Sequence, residues 1–74
     1  MIHELDNVVL ETDLPKNGLK RGDIGTVVML HNAGKGAEVE FVALDGETVA
    51  VVTLPTEQFR PIRRREIAHV RHVA

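Results

Sequence analysis

A glycine-hinged turn that leads into a long apolar run, residues 19–30, constrains the fold of this chain more than any other feature. Gly22 and Asp23 form the turn, and the run that follows is rich in β-branched residues and contains Gly25 near its start. β-Branched residues favour strands, and a glycine inside a strand usually marks a bulge or a sharp bend. The stretch therefore predicts a long central strand over residues 24–31 that bends at Gly25.

Four further segments have the composition of short strands, namely residues 7–12, 37–44, 47–54 and 59–62. Asp45-Gly46 is a hairpin dipeptide, because the tight turn that it favours requires positive φ at both central positions. A single helical turn is predicted at residues 55–58, with a proline at its start. Pro61 then confines the last strand to an edge of the sheet.

The order of these elements predicts an all-β fold, a small five-stranded SH3-like barrel with a one-turn helix before the last strand. Closing a sheet in this way hides edges that would otherwise aggregate. Leu14 and Leu19, in the long loop after the first strand, are expected to cap the open end of the barrel. The predicted core consists of Val8, Leu10, Ile24, Val28, Leu30, Val39, Phe41, Ala50, Val52, Leu54 and Ile62.

The 74 residues are enough for one domain. We assign residues 1–62 to the barrel and residues 63–74 to a basic C-terminal tail. Ile67, Val70 and either Val73 or Ala74 recur at helical spacing, so a short amphipathic helix is one alternative for this tail. An isolated helix of this length is marginal in water and would need a surface to lie on.

The composition argues against several classes of function. The chain has no cysteine, which excludes a disulfide scaffold and a thiolate zinc site. Its aromatic residues are two phenylalanines, whereas single-stranded nucleic-acid binders and proline-rich-peptide binders depend on aromatic surfaces. His69 and His72 could ligate a metal from one helix face, but structural zinc sites have four ligands. We therefore expect a protein that is not an enzyme, with no catalytic residue, no metal site, no cofactor and no small-molecule substrate.

The start of the chain lacks the basic and apolar regions of a signal peptide. Apolar runs such as residues 49–52 are far shorter than the roughly 20 residues that span a bilayer. These features predict a soluble, cytoplasmic protein without a membrane partner.

Charge is distributed unevenly along the chain. Residues 1–59 contain four Lys and Arg against ten Asp and Glu, whereas residues 60–74 contain five Arg against one Glu. The basic tail could contact phosphates, since each bound cation releases counterions from a nucleic acid. Alternatively, the tail solubilises the protein or folds onto its acidic body. The pI of about 6.0 favours these alternatives, because nucleic-acid-binding domains are usually strongly basic. The basic set that would contact a nucleic acid is Lys20, Arg21, Arg60, Arg63, Arg64 and Arg65.

Too many strand positions that should face outward are apolar. We call these positions the apolar outer set: Val27, Met29, Val42, Val49 and Val51. Contiguous exposed apolar surface usually marks an interaction site. Three explanations remain open, because the tail could cover this face through Ile67 and Val70, another chain could cover it, or barrel curvature could bury parts of both faces.

Several motifs resemble one known family: Asp13-Leu14-Pro15, the run from Gly18 to Val28, Glu38-Val39-Glu40-Phe41-Val42, Asp45-Gly46, Thr53-Leu54-Pro55 and Arg60-Pro61. Over residues 8–62 the chain resembles the prokaryotic domain-of-unknown-function family 4926. The resemblance implies a small SH3-like barrel and no established activity, and it allows an accessory or antitoxin-like role. The basic tail departs from the family pattern. Gly22-Asp23-Ile24-Gly25-Thr26-Val27 is also similar to the core of KOW-type barrels.

Three hypotheses of function follow. The first is a non-enzymatic protein–protein interaction module, acting as a homodimer or as the small partner of another protein through the apolar outer set. The second is a KOW-like nucleic-acid-binding module that uses the basic set. The third is a structural accessory subunit of an enzyme.

Overall fold

The computed structural model describes residues 2–73 and contains five antiparallel strands in one sheet. The strands are β1 (Asn7–Leu10), β2 (Ile24–His31), β3 (Gly36–Val42), β4 (Thr48–Pro55) and β5 (Phe59–Pro61). Short 3-10 turns occur at Pro15–Asn17, Asn32–Gly34 and Thr56–Gln58. The third of these turns confirms the single helical turn predicted before the last strand.

The sheet has the strand order β4-β3-β2-β1-β5, and it curls around one core. Val8 and Leu10 of β1 and Phe59 of β5 belong to the same buried cluster as Val39 of β3 and Leu54 of β4. The two ends of the sheet therefore share an interior, with the long strand β2 passing from one half to the other. This arrangement confirms the predicted all-β, SH3-like fold.

A β-bulge in β2 decides which of its residues face inward. Thr26 and Val27 of β2 lie opposite Glu40 and Val39 of β3. The next residue along β3, Glu38, lies opposite Met29 and not opposite Val28. Val28 is thus an extra residue, and an extra residue shifts the side-chain alternation by one position. Val27 is consequently fully buried before the bulge.

Three members of the predicted core are wrong. Ile24 is exposed because the inward-facing positions of β2 before the bulge are the odd-numbered ones, and Val28 is exposed because it is the extra residue of the bulge. The sequence pattern did not reveal the bulge. Ile62 is also exposed, because β5 ends at Pro61 and buries Phe59 instead.

Most of the remaining core prediction is confirmed. The buried apolar residues are Val8, Val9, Leu10, Leu19, Val27, Ala37, Val39, Phe41, Leu54 and Phe59. Leu30, Ala50 and Val52 are partly buried and pack against this cluster. Leu19 is buried and Leu14 packs beside it, so the loop leucines close the barrel as expected.

The long β1–β2 loop is held in a compact shape that presents Asp23. A 3-10 turn at Pro15–Asn17 ends at Gly18, whose φ of 70° is in the left-handed region that glycine tolerates. Leu14 and Leu19 then form an antiparallel bridge. Leu10 N–H donates to the carbonyl of Asp23 over 2.8 Å, so this aspartate is fixed beside the end of β1.

No helix within residues 2–73 has the length and apolar character needed to cross a bilayer.

Candidate functional site

The C-terminal tail folds back along the barrel. Residues 63–73 contain a turn at Arg64 and Arg65 and otherwise extended or irregular backbone, so the helix considered for this segment is absent from its described part. Ala74 lies outside the described residues. Two arginine–carboxylate pairs anchor the segment, one near each end.

The first anchor joins Arg60 to Glu66. Arg60 Nη1 donates to Glu66 Oε1 over 2.9 Å and Nη2 donates to Oε2 over 2.6 Å, a bidentate pair. Glu66 also accepts from the backbone N–H of Arg63. The hydrogen bonds from Arg60, and then that from the Arg63 amide, lower the pKa of Glu66 to about 2. Arg60 lies within 3.5 Å of Glu11 Oε1 as well, so it faces two carboxylates.

The second anchor joins Arg71 to the β1–β2 loop. Arg71 Nε and Nη2 donate to the two carboxylate oxygens of Asp23 over 2.7 and 2.6 Å, and Nη2 also donates to the Gly18 carbonyl over 2.9 Å. Partial burial opposes ionisation of Asp23, but hydrogen bonds from Arg71 and from the Lys20 amide outweigh it and hold the pKa of the carboxyl below its ordinary value. The same pair raises the pKa of Arg71.

These anchors favour the fold-back interpretation of the tail over a free nucleic-acid-binding arm. Arg60, one member of the basic set, is engaged with carboxylates of its own chain. The backbone amides of Lys20 and Arg21 donate to Asp23 and Asp13, which places both residues in an acidic surrounding. The remaining members, Arg63, Arg64 and Arg65, are exposed, and the ion pairs found within residues 2–73 do not include them.

The structure divides the apolar outer set. Val27 is fully buried, so its predicted outward orientation is wrong, because the bulge in β2 turns it inward. Val49 is partly buried and packs against the core beside a second register shift, between Phe41 and Val42. Met29, Val42 and Val51 are exposed by 47%, 44% and 53%, as predicted.

The tail does not cover these three exposed residues through the side chains proposed for that role. Ile67 is 94% exposed and Val70 is 72% exposed. The bulge in β2 accounts for the burial of Val27, and the partly buried Val49 lies beside the second register shift, whereas Met29, Val42 and Val51 remain exposed to solvent.

Carboxylates interrupt the exposed apolar residues on the outer face. Glu38 lies opposite Met29 in the β2–β3 register, and Glu40 lies opposite Val51 in the β3–β4 register. Glu40 accepts a hydrogen bond from the Thr48 hydroxyl over 2.9 Å. The side chains therefore form a mixed apolar and acidic surface.

Strand β4 is an edge of the sheet and has no charged residue along its eight positions, Thr48–Pro55. Natural proteins usually protect such an edge with charge, proline or a covering element, because its unpaired backbone groups are a template for another strand. Sequence reasoning identified the unusual apolar content here but missed that the strand would be an edge. The available signal was the lack of charge from residue 48 to residue 56.

The hydrogen-bond pattern shows which backbone groups of β4 face away from the sheet. Thr56 N–H donates to the Lys35 carbonyl over 3.1 Å, and opposed residues of an antiparallel pair exchange hydrogen bonds only at every second position. In the β3–β4 register, Leu54, Val52 and Ala50 therefore bond to β3. The backbone N–H and C=O groups of Val51 and Thr53 point outward. We call Val51 and Thr53, with the strand that carries them, the β4 edge.

The opposite edge of the sheet is shorter and carries a charged residue. Strand β5 has three residues and ends at Pro61. The side chain of its central residue, Arg60, is committed to the tail anchor. The sheet therefore has one protected edge and one long edge that no strand within residues 2–73 pairs with.

The polar and ionisable side chains in the described part of the chain lie at or near the surface. Among residues 2–73, no group of three His, Asp or Glu side chains is placed to hold a metal ion. No polar or charged residue in this part of the chain is buried. His31 approaches one carboxylate, Glu38, at 3.5 Å on the exposed face.

Comparison with known proteins places the chain in one family. No curated protein and no solved structure shows significant similarity to it. The model of a family described as "Domain of unknown function (DUF4926)" matches residues 4–61, which include all five strands and exclude the tail beyond β5. The chain therefore belongs to the DUF4926 family.

Proposed function

We propose that the protein is a cytoplasmic, non-enzymatic protein–protein interaction module that binds through the β4 edge. The observation that carries this proposal is the long, uncharged and unpaired edge formed by Thr48–Pro55. Pairing of an added strand with an exposed edge is a recurrent mode of recognition, in which main-chain hydrogen bonds supply affinity. The exposed side chain of Val51 lies on this strand and adds an apolar contact, whereas the exposed Val42 and Met29 lie on β3 and β2, one and two strands farther from the edge.

Such a module could act by self-association or as a small partner or accessory protein, including an antitoxin-like one. The main-chain contribution can be tested at Thr53, because its N–H faces away from β3. Thr53→Pro removes that N–H without removing a bond to β3, and proline is tolerated at such edge positions. Thr53→Ala is the matched control, since it keeps the backbone donor.

Wild-type protein and both variants are immobilised, exposed to a lysate of the source organism and compared for the proteins that they retain. We expect a specific protein to bind wild type and Thr53→Ala and to be lost with Thr53→Pro. Equal retention by all three proteins, or no retention together with no self-association, would contradict the proposal. Circular dichroism verifies that each variant is folded.

One observation supports nucleic-acid binding as a second candidate. Arg63 and the two turn residues Arg64 and Arg65 are exposed, and their side chains form no ion pair within residues 2–73. A phosphate-binding role predicts retention of mixed-sequence DNA at low salt that weakens steeply as salt rises. Deleting residues 63–74 should then abolish retention, whereas unchanged retention or none would exclude this candidate.

A further inference from the structure

We propose that the partner of the β4 edge is a second copy of this chain, bound antiparallel to form one continuous ten-stranded sheet across a twofold axis at Val52. This inference rests on the proposed function and names the occupant of its binding edge. Three observations support it: the charge of the strand, the state of the other edge, and the positions of the outward backbone groups.

The absence of charge along β4 favours self-pairing. Two copies of a strand that carries only apolar, threonine and proline side chains meet without placing like charges opposite each other. Like charges approach each other only beyond the paired region, where Glu47 of one copy would face Glu57 of the second copy. Both residues are exposed, so salt should screen this repulsion. We therefore expect dimerisation to strengthen modestly as ionic strength rises.

The short, charged edge at β5 favours a twofold dimer over a head-to-tail assembly. A head-to-tail assembly would need β5 to accept β4, but β5 has three residues and ends at Pro61. Within this chain, the strand best able to complement β4 is therefore another β4. Pairing of the same element in both copies is isologous and stops at a dimer, whereas a head-to-tail contact could continue into a filament.

The backbone geometry gives the register. With the axis at Val52, Val51 of each copy lies opposite Thr53 of the other, and these are the residues with outward N–H and C=O groups. Each such pair exchanges two hydrogen bonds in an antiparallel ladder. On the inner face, the two Val52 side chains meet. Val52 is partly buried in the single chain, and the second strand would extend the apolar layer over it.

Strand pairing of this extent covers a small area, so we expect a reversible dimer. Interfaces below about 1,200 Å² belong to weak, transient encounters, and a dissociation constant on the order of micromolar is the corresponding expectation. Sedimentation velocity of the full chain over a range from about 1 μM to about 1 mM should show a concentration-dependent shift from monomer to dimer. Thr53→Pro should remain monomeric throughout, and Thr53→Ala should dimerise like wild type.

Because the chain has no cysteine, engineered thiols test the register directly. Val52→Cys places two thiols at a non-hydrogen-bonded pair, where Cα atoms are about 4.5 Å apart and a disulfide is permitted. Thr53→Cys is the control. Its two copies lie two residues apart along the strands, which separates their Cα atoms by about 8 Å, beyond the permitted distance. Mild oxidation followed by non-reducing electrophoresis should yield at least fivefold more covalent dimer for Val52→Cys.

A protein that stays monomeric at the highest concentration would overturn the inference. So would a dimer that tolerates Thr53→Pro, or equal crosslinking of the two cysteine variants. If Thr53→Pro fails to fold, the cysteine comparison decides. A monomeric chain that still captures a Thr53→Pro-sensitive partner would overturn self-pairing alone and leave the proposed function standing.

Discussion

Substitution of Gly25 by alanine should destabilise the barrel, because the interior has no room for one additional methyl group. A Cβ built on Gly25 would lie 2.5 Å from Val39 Cγ1, 2.8 Å from Phe41 Cε2 and 3.0 Å from the backbone oxygen of Glu40. The obstacle is steric, since the φ of Gly25 lies outside the left-handed region. The side chains that it would meet belong to the buried core.

Two opposing effects decide the magnitude. Replacing glycine by alanine restricts the unfolded chain and stabilises a protein by about 0.4–1 kcal/mol where the new side chain fits. Forcing a methyl group into a packed core costs about 1–3 kcal/mol. One of the three atoms near the new Cβ is a backbone oxygen, which cannot rotate away. The steric cost should therefore exceed the stabilisation that comes from restricting the unfolded chain. We expect a net loss of about 1–2 kcal/mol, which lowers the Tm of a domain of this size by about 5–15 °C.

Thermal and urea unfolding followed by circular dichroism measure this change. Val39→Ala supplies an internal control, because it removes the methyl group nearest to the new Cβ. The double variant Gly25→Ala/Val39→Ala should therefore lose less stability than the sum of the single variants, by at least about 0.5 kcal/mol. A Tm for Gly25→Ala equal to or above that of wild type would refute the reasoning.

The remaining predictions concern the bulge and the tail anchors. Val27→Ala should cost at least about 1.5 kcal/mol of unfolding free energy and Val28→Ala less than about 0.5 kcal/mol, although the residues are adjacent; equal losses in urea titrations would contradict the assigned bulge. The Glu66 carboxyl should titrate near pH 2 by NMR, so the Arg60–Glu66 pair stabilises the fold at pH values above the ordinary glutamate pKa and loses this contribution as the pH falls toward 2. Arg60→Gln should raise the titration midpoint toward the ordinary glutamate value, although the Arg63 amide still donates to Glu66; an unchanged midpoint would rule out the anchor. Arg71→Gln should raise the fast backbone mobility of residues 67–73 in heteronuclear NOE measurements, with Arg71→Lys intermediate because lysine cannot form a bidentate pair; a mobility equal to wild type would show that this pair does not hold the tail.

The parts of the fold that follow a simple alternation could be predicted from the sequence. Val39 and Phe41 alternate with Glu38 and Glu40, and both apolar residues are buried as expected. In β2, by contrast, four consecutive apolar residues over 27–30 hide the alternation. A one-residue bulge inside such a run changes which side chains face inward, and the amino-acid composition does not indicate where the bulge lies.

The candidate site was predicted less completely, because its parts depend on topology. The pairing of Arg71 with Asp23 joins residues far apart in the chain, and charge asymmetry indicated only that the tail could fold onto the acidic body. The lack of charge in β4 was visible in the sequence. The absence of charge matters only because β4 lies at the end of the sheet. That position is set by the spatial order of the strands in the folded sheet.

The anchored tail also acts as an internal counterion for the barrel. It contains four arginines and one glutamate, so a chain that ended at residue 62 would have a formal net charge of −5 instead of −2. Two truncated barrels approaching each other would then repel more strongly, even though none of the deleted residues lies in the strand proposed to join them. The boundary of the family match is therefore a poor place to divide this protein for studies of its association.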